Sequence, residues 1–298
     1  MTDPPVRTDP STILLGNSRV MHRVRDQIAT LAVLPWHVRI EGPSGTGKSV
    51  AARLLHSLSQ RAHATFVLCS LASLPDGTAL GELVGYRRGT FTGAYEHRAG
   101  KLEAAHGGTL FLDEIGTAGP EAQRALLQFV DTGIVQRLGE VRERPVDARL
   151  VFATNENLEA LVLQRRFRAD LYHRLGKLTL RMPALSEHAD DVPLLMEYLL
   201  VAKAEEAGRP TPSLSSQDFD RLVAYTWPGN VRELGAVAEQ IVAFGRLPDL
   251  FARLTTDQQW RTRIGDALTR CQGNKAAAAR MLGVSRQQLH RALEAREA

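Results

Sequence analysis

Apolar residues arrive in short blocks over the first 180 positions. Residues 36–41 (WHVRIE), 65–69 (TFVLC), 108–113 (GTLFLD) and 149–154 (RLVFAT) read as buried strands. Between them, residues 49–59 and 121–132 carry helical spacing. Strands alternating with helices imply a parallel sheet covered on both faces, an α/β core. From about residue 186 to residue 244 the strand pattern stops and helical spacing takes over, which predicts a small helical subdomain. Residues 245–256 contain Leu-Pro-Asp and read as a linker, and the chain beyond is helical again.

Composition adds limits. The 298 residues are 44% hydrophobic and 23% charged, enough for a true core and two or three domains. No apolar run approaches the roughly 20 residues of a membrane span. The opening MTDPPVR lacks the apolar centre of a secretory leader, so a cytoplasmic location is expected. Cys69 and Cys271 stand apart, without metal spacing to any histidine cluster, and are expected as reduced thiols. From residue 258 onward eight Arg or Lys face three acids, in a chain whose net charge is only +4. A basic end on a near-neutral body suggests contact with nucleic acid, although a solvated helix face has the same composition.

The sharpest motif is residues 42–49, GPSGTGKS, which fits G-x-x-x-x-G-K-[ST] at every fixed position. Gly42, Pro43, Ser44, Gly45, Thr46 and Gly47 form a compact loop between a predicted strand and a predicted helix. Small residues let backbone N–H groups wrap phosphates, and the helix N-terminus favours the anion. Lys48 would neutralise the β and γ phosphates of ATP, and the Ser49 hydroxyl would coordinate Mg²⁺. Residues 109–114 (TLFLDE) are an apolar strand ending in two carboxylates, with Asp113 assigned to the Mg²⁺ shell and Glu114 to the general base. Thr154 and Asn155 close another strand, where a polar pair can sense the γ-phosphate.

With these motifs in place, the chain resembles the sigma-54-dependent AAA+ activators, the bacterial enhancer-binding proteins. The most specific element is Gly89, Thr90, Phe91, Thr92, Gly93 and Ala94, which resembles the family's GAFTGA loop. The resemblance implies that this loop contacts sigma-54 in a nucleotide-dependent way, with Phe91 as an aromatic anchor at an uncharged tip. Residues 131–139 resemble a second surface loop that cooperates with it. In residues 167–175 (FRADLYHRL), Arg168 and Arg174 match the family's arginine fingers, which reach the neighbouring subunit's nucleotide and imply a ring, expected to be a hexamer. Read without the resemblance, the same arginines fit surface ion pairs with Asp170. Residues 227–234 (WPGNVREL) resemble the sensor II segment, so Arg232 would touch the γ-phosphate.

Three positions depart from the family pattern. Thr90 stands where the family usually has Ala, which adds a hydroxyl and β-branching to the loop. Ser70 stands where the family usually has an Asn that restrains the catalytic Glu, so coupling between loop and hydrolysis is an open expectation. Ser49 replaces a frequent Glu with ordinary phosphate-loop chemistry.

Residues 264–273 read as a helix ended by Gly273, residues 274–282 as a second, and residues 286–293 as a third behind a Gly-Val-Ser turn. This helix–turn–helix pattern resembles the Fis-type domain of the same activators. Ser285 would cap the recognition helix, and Arg286, Gln287, Gln288, His290 and Arg291 would read base edges or hold phosphates of enhancer DNA. Dimerisation through the first of these helices is expected.

The expected organisation is therefore a disordered tail (1–11), an α/β AAA+ nucleotide subdomain (12–184), a helical AAA+ subdomain (185–245), a linker (246–257) and an all-α helix–turn–helix domain (258–298). The expected activity is ATP-driven remodelling of sigma-54 RNA polymerase from closed to open complexes. Because the nucleotide core begins near residue 12, no N-terminal regulatory domain is expected, and control would come from a regulatory protein in trans. The alternative is a nucleotide-switched DNA-binding regulator that acts in a mixed ring or with another sigma factor.

Overall fold

The computed structural model describes residues 14–248 apart from 74–77, 91–93 and 176–177, and beyond residue 248 only Lys275. The chain forms two compact units, Met1–Ala243 and Phe244–Ala298. The fold that follows belongs to the first.

The first helix, α1 (Arg19–Ala32), is capped by Ser18, whose side chain accepts from Met21 N–H at 3.3 Å. Its buried Met21, Val24, Ile28 and Leu31 recur at helical spacing. There follow β1 (Val38–Glu41), α2 (Lys48–Ser57), β2 (Phe66–Ser70), α3 (Ala79–Val84) and a short hairpin, β3 (Gly85–Tyr86) with β4 (Arg98–Ala99). Next come α4 (Lys101–Ala104), β5 (Thr109–Asp113) and α5 (Pro120–Thr132). Pro120 opens α5, where its missing N–H is no loss, and Gly133 closes it at φ 66°, a conformation that disfavours a Cβ. A second hairpin, β6 (Ile134–Gln136) with β7 (Glu143–Pro145), leads into β8 (Arg149–Thr154), α6 (Leu158–Leu163), α7 (Ala169–Arg174) and β9 (Thr179–Arg181).

Five parallel strands form the central sheet in the order β2-β5-β8-β1-β9. Alternation sends the two sets of strand side chains to opposite faces. Leu110, Leu112, Leu150 and Phe152 join the core that contains Leu83, Leu102, Leu126 and Leu171. Phe111, Val151 and Ala153 join the core built with Ile28, Ile40, Leu54 and Leu55. The expected α/β core covered on both faces is present, and its helical spans begin or end within two residues of the expected ones.

Buried Arg149 shows how this core handles a charge. Its guanidinium donates to the carbonyls of Leu31, Ala32 and Trp36 at 2.7, 2.9 and 3.2 Å, closing the C-terminal end of α1. After β9 the chain turns through Leu185–Asp191 into α8 (Val192–Glu206), α9 (Ser216–Ala224) and α10 (Asn230–Phe244). Ser215 and Asp218 form a reciprocal capping box at the start of α9. Among the described residues, no helix is long and apolar enough to cross a membrane.

Candidate nucleotide-binding site

Strand β1 ends at Glu41 and the GPSGTGKS loop runs directly into α2. Gly45 (φ 79°) and Gly47 (φ 90°) adopt left-handed conformations that strain any residue with a Cβ. The loop is braced from within. Lys48 Nζ donates to the carbonyls of Gly42 at 2.8 Å and Pro43 at 3.0 Å, and Thr46 Oγ1 donates to Pro43 at 2.9 Å. Gly42 N–H reaches Thr154 O at 3.3 Å, joining the loop to β8. Burial draws the Lys48 pKa below its usual value, while nearby Asp113 and Glu114 oppose that shift. Ser49, the second residue of α2, is half-buried.

Asp113 closes β5, and its Oδ1 accepts from Glu114 N–H at 3.0 Å. Glu114 is left-handed at φ 57°, ψ 49°, an unusual conformation for a glutamate, and there the backbone leaves the strand for the turn Ile115–Thr117. Thr117 holds that turn, donating from both Oγ1 (2.8 Å) and N–H (3.0 Å) to Glu114 O. Ser70, at the end of β2, stands opposite Asp113 in the strand register.

Thr154 is 1% exposed, and its hydroxyl both accepts from Glu156 N–H and donates to Glu156 O, at 3.0 and 3.1 Å. The hydroxyl thus shapes the strand-end turn. Asn155 lines a cleft of about 470 Å³ with Gly42, Pro43, Arg39, Glu41 and Tyr172. Arg39 stacks over the Tyr172 ring, 5.0 Å from its centroid.

The helical part meets the loop through the Trp-Pro-Gly-Asn turn. Arg232 Nη1 donates to Ser44 Oγ at 2.8 Å, Asn230 Nδ2 to Ser44 O at 2.8 Å, and Val231 N–H to Gly45 O at 3.0 Å. Asn230 Oδ1 accepts from Leu185 N–H at 2.8 Å, so one buried amide bridges loop and lid. Trp227, 1% exposed, anchors the turn by donating from Nε1 to Leu222 O at 2.8 Å.

The two expected arginines lie on the surface at either end of α7. Arg168 makes a two-pronged pair with Asp170 at 3.0 and 2.7 Å, and Arg174 pairs with Asp131 at 3.2 Å. The pair with Asp170 raises the Arg168 pKa, and it holds the Asp170 carboxyl below its usual value. The Arg168 pair is the one that the surface reading expected, whereas Arg174 takes Asp131 in place of Asp170.

The first surface loop joins β3 to β4. Gly89 N–H donates to Ala94 O at 2.8 Å, closing the neck of the loop, and Ala94 is buried there. Phe91, Thr92 and Gly93 lie outside the described residues. The loop touches the second hairpin: Arg87 N–H and Thr90 Oγ1 both donate to Leu138 O, at 3.0 and 3.1 Å, and Leu138 N–H donates to Gly85 O at 3.0 Å. The helix–turn–helix residues Ser285, Arg286, Gln287, Gln288, His290 and Arg291 also lie outside the described residues. Sequence reasoning missed Gln123, Asn230 and Thr117, whose side-chain bonds run to main chain and leave no periodic trace.

A phosphate loop, a strand-end Asp-Glu pair, a polar pair on the adjacent strand and a helical lid bearing an arginine define a nucleotide-binding protein of the AAA+ ATPase type. Comparison with known proteins agrees. Residues 14–181 match the model of the sigma-54 interaction domain, residues 186–253 the AAA+ ATPase lid domain, and residues 261–295 the bacterial regulatory protein, Fis family. The chain belongs to the sigma-54 interaction family of transcriptional regulators, with an AAA+ lid and a Fis-type helix–turn–helix. It is 39% identical over 291 residues to the C4-dicarboxylate transport transcriptional regulatory protein DctD of Pseudomonas aeruginosa, covering 93% of this chain and 63% of DctD. It is 37% identical to the Nif-specific regulatory protein of Azotobacter vinelandii, covering 93% of this chain and 57% of that protein. The chain therefore spans less than two thirds of these two relatives. Among solved structures, NtrX from Brucella abortus in complex with ATP superimposes with a TM-score of 0.74 at 30% identity, covering 95% of this chain and 68% of NtrX.

Proposed function

We propose that this chain is an ATP-dependent transcriptional activator that binds enhancer DNA and drives sigma-54 RNA polymerase from closed to open complexes. One observation carries the reading. Both surface hairpins are inserted between sheet strands that end at the nucleotide site. The first lies between β2 and β5, the second between β5 and β8, and the two share Leu138 as a contact. A change at Asp113, Glu114 or Thr154 thus has a short covalent route to both loops.

In this reading Lys48 leaves the carbonyls of Gly42 and Pro43 for the β and γ phosphates of ATP. The loop amides of residues 42–49 wrap the phosphate chain. Ser49 and Asp113 offer the hard oxygen donors that Mg²⁺ takes, and the ion would neutralise developing phosphate charge. Glu114 accepts a proton from the attacking water. Asn155, beside Thr154, and Arg232 report the γ-phosphate, and Arg232 exchanges Ser44 for it. Arg168 and Arg174 leave Asp170 and Asp131 to reach the neighbouring subunit's nucleotide, which makes a ring necessary for turnover. Residues 89–94 contact sigma-54, and Ser285, Arg286, Gln287, Gln288, His290 and Arg291 contact DNA.

The test is open-complex formation on a sigma-54 promoter with the full chain, polymerase and ATP, using Lys48→Ala as the blank. Opening that needs ATP and disappears in the variant supports the reading. Hydrolysis without opening overturns it and favours a nucleotide-switched DNA-binding regulator that acts in a mixed ring or with another sigma factor.

A further inference from the structure

Gln123 sits on α5 and is 1% exposed, yet its amide hydrogen bonds run to the main chain outside its helix. Its Nε2 donates to Ala118 O at 2.7 Å and to Arg166 O at 3.0 Å. Its Oε1 accepts from Arg168 N–H at 2.9 Å. One buried side chain therefore joins two irregular segments of the fold.

Each segment carries chemistry. Ala118 ends the turn that starts at left-handed Glu114 and is held by Thr117. Arg166 and Arg168 lie between α6 and α7, where Arg165 is left-handed at φ 59°. Here the chain cannot satisfy its own backbone through helical bonds, and Gln123 supplies the missing partners on both sides of buried Phe167. A third link closes the group. Gly116 packs against the Glu156 carboxylate, Arg166 Nη2 lies 4.0 Å from Glu156, and Thr154 shapes the Glu156 turn. Arg168 is thus held at both ends, its backbone by Gln123 and its guanidinium by Asp170.

An apolar side chain of equal length would fill the same space but leave Ala118 O, Arg166 O and Arg168 N–H without this partner. The amide is therefore a device for register. We propose that Gln123 is a positioning residue for the arginine lent to the neighbouring subunit: it ties Arg168 to the 114–118 turn of its own chain. The proposal rests on the reading of Arg168 as a finger acting in trans. Each subunit then offers its neighbour a finger whose position follows the turn that carries its own general base.

The experiment uses mixed rings of full-length chains. A lender carries Lys48→Ala, so its own site is inactive and its arginines are intact. An acceptor carries Arg168→Ala and Arg174→Ala, so its site is intact and it lends nothing. ATP turnover should reappear only on mixing. Gln123→Met is then placed in the lender or in the acceptor. The expected result is a roughly ten- to hundredfold loss from the lender and less than about twofold from the acceptor, because a misplaced catalytic group is what slows the reaction. Equal losses from both placements, or a loss confined to the acceptor, overturn the positioning role while leaving the trans arginine intact. No turnover on mixing the two parents overturns the trans arginine itself, and Gln123 with it. Binding of a fluorescent ATP analogue checks that Gln123→Met folds. If it does not bind, Gln123→Glu, which keeps the oxygen facing Arg168 N–H, enters the same two mixtures and is held to the same lender–acceptor asymmetry.

Discussion

Arg232, in the first turn of α10, donates from Nη1 to Ser44 Oγ at 2.8 Å across 188 positions of sequence. Two residues earlier, Asn230 donates to the carbonyl of the same serine. One loop residue is gripped by the lid at its hydroxyl and its carbonyl, but the two grips differ in burial. Arg232→Ala is expected to cost about 1 kcal/mol of stability or less, since its bond is exposed. The same variant should slow ATP turnover by roughly ten- to a hundredfold through loss of a phosphate contact. Steady-state hydrolysis and a urea melt of the same preparation separate the two effects.

Asn230→Ala should do the reverse of a surface change. It strips the partner from Leu185 N–H and Ser44 O, and it forces alanine into φ 52°. A loss of about 2–4 kcal/mol is expected. A thermal midpoint within a degree of the parent would show that the amide bridge contributes nothing.

At Glu114, side chain and backbone can be tested apart. Glu114→Gln should bind ATP normally but turn it over about 10²–10⁴-fold more slowly, as loss of a general base requires. Glu114→Gly should be as inactive, yet more stable by about 1 kcal/mol, because glycine relieves the left-handed conformation at φ 57°. Calorimetry on both variants reads the difference.

Thr90 has one hydroxyl proton to share between two acceptors, Arg87 O at 2.6 Å and Leu138 O at 3.1 Å. Thr90→Ala should loosen the contact between the two hairpins at a cost of about 1 kcal/mol locally. Amide exchange at residues 87–90 and 138 should quicken, with basal ATP turnover within about twofold. Unchanged exchange would mean that the main-chain bonds among Gly85, Arg87 and Leu138 hold the hairpins alone.

His37 predicts a pH dependence. Burial, then Arg149 and Arg61, lower its pKa from 6.5 to about 4, and its Nδ1 accepts from Leu150 N–H at 3.1 Å. The unfolded chain takes up a proton near pH 6.5 that the folded chain refuses until about pH 4. Stability from this group is therefore complete above pH 6.5 and is lost as pH falls toward 4, by up to about 3 kcal/mol. His37→Gln should flatten that part of the urea-midpoint curve relative to the parent. Parallel curves would remove His37 from the account.

β5 and β8 were legible because burial on both faces writes continuous apolar runs, β1 and β2 because each still carries a short apolar block, and the phosphate loop because G-x-x-x-x-G-K-S has few other uses. β9 was not, since three residues with Thr and Arg at the sheet edge write no such run. Nor were the two hairpins, where Gly85-Tyr86 and Glu143-Arg-Pro145 are too short to write a pattern. In the site, Lys48, Asp113 and Glu114 announce themselves by chemistry and position. Gln123 and Asn230 do not, because an amide serving distant main-chain groups looks in sequence like any polar residue on a helix.

The seam between Gly45 and Val231 is built from a carbonyl and an amide that every non-proline residue possesses. Such a joint is indifferent to spelling and exacting about count. Exchanging the Val231 side chain would leave its N–H in place, whereas inserting or deleting one residue between Trp227 and Val231 would slide each amide past its carbonyl. Natural variation in this turn should accordingly run to substitution, with its length held constant.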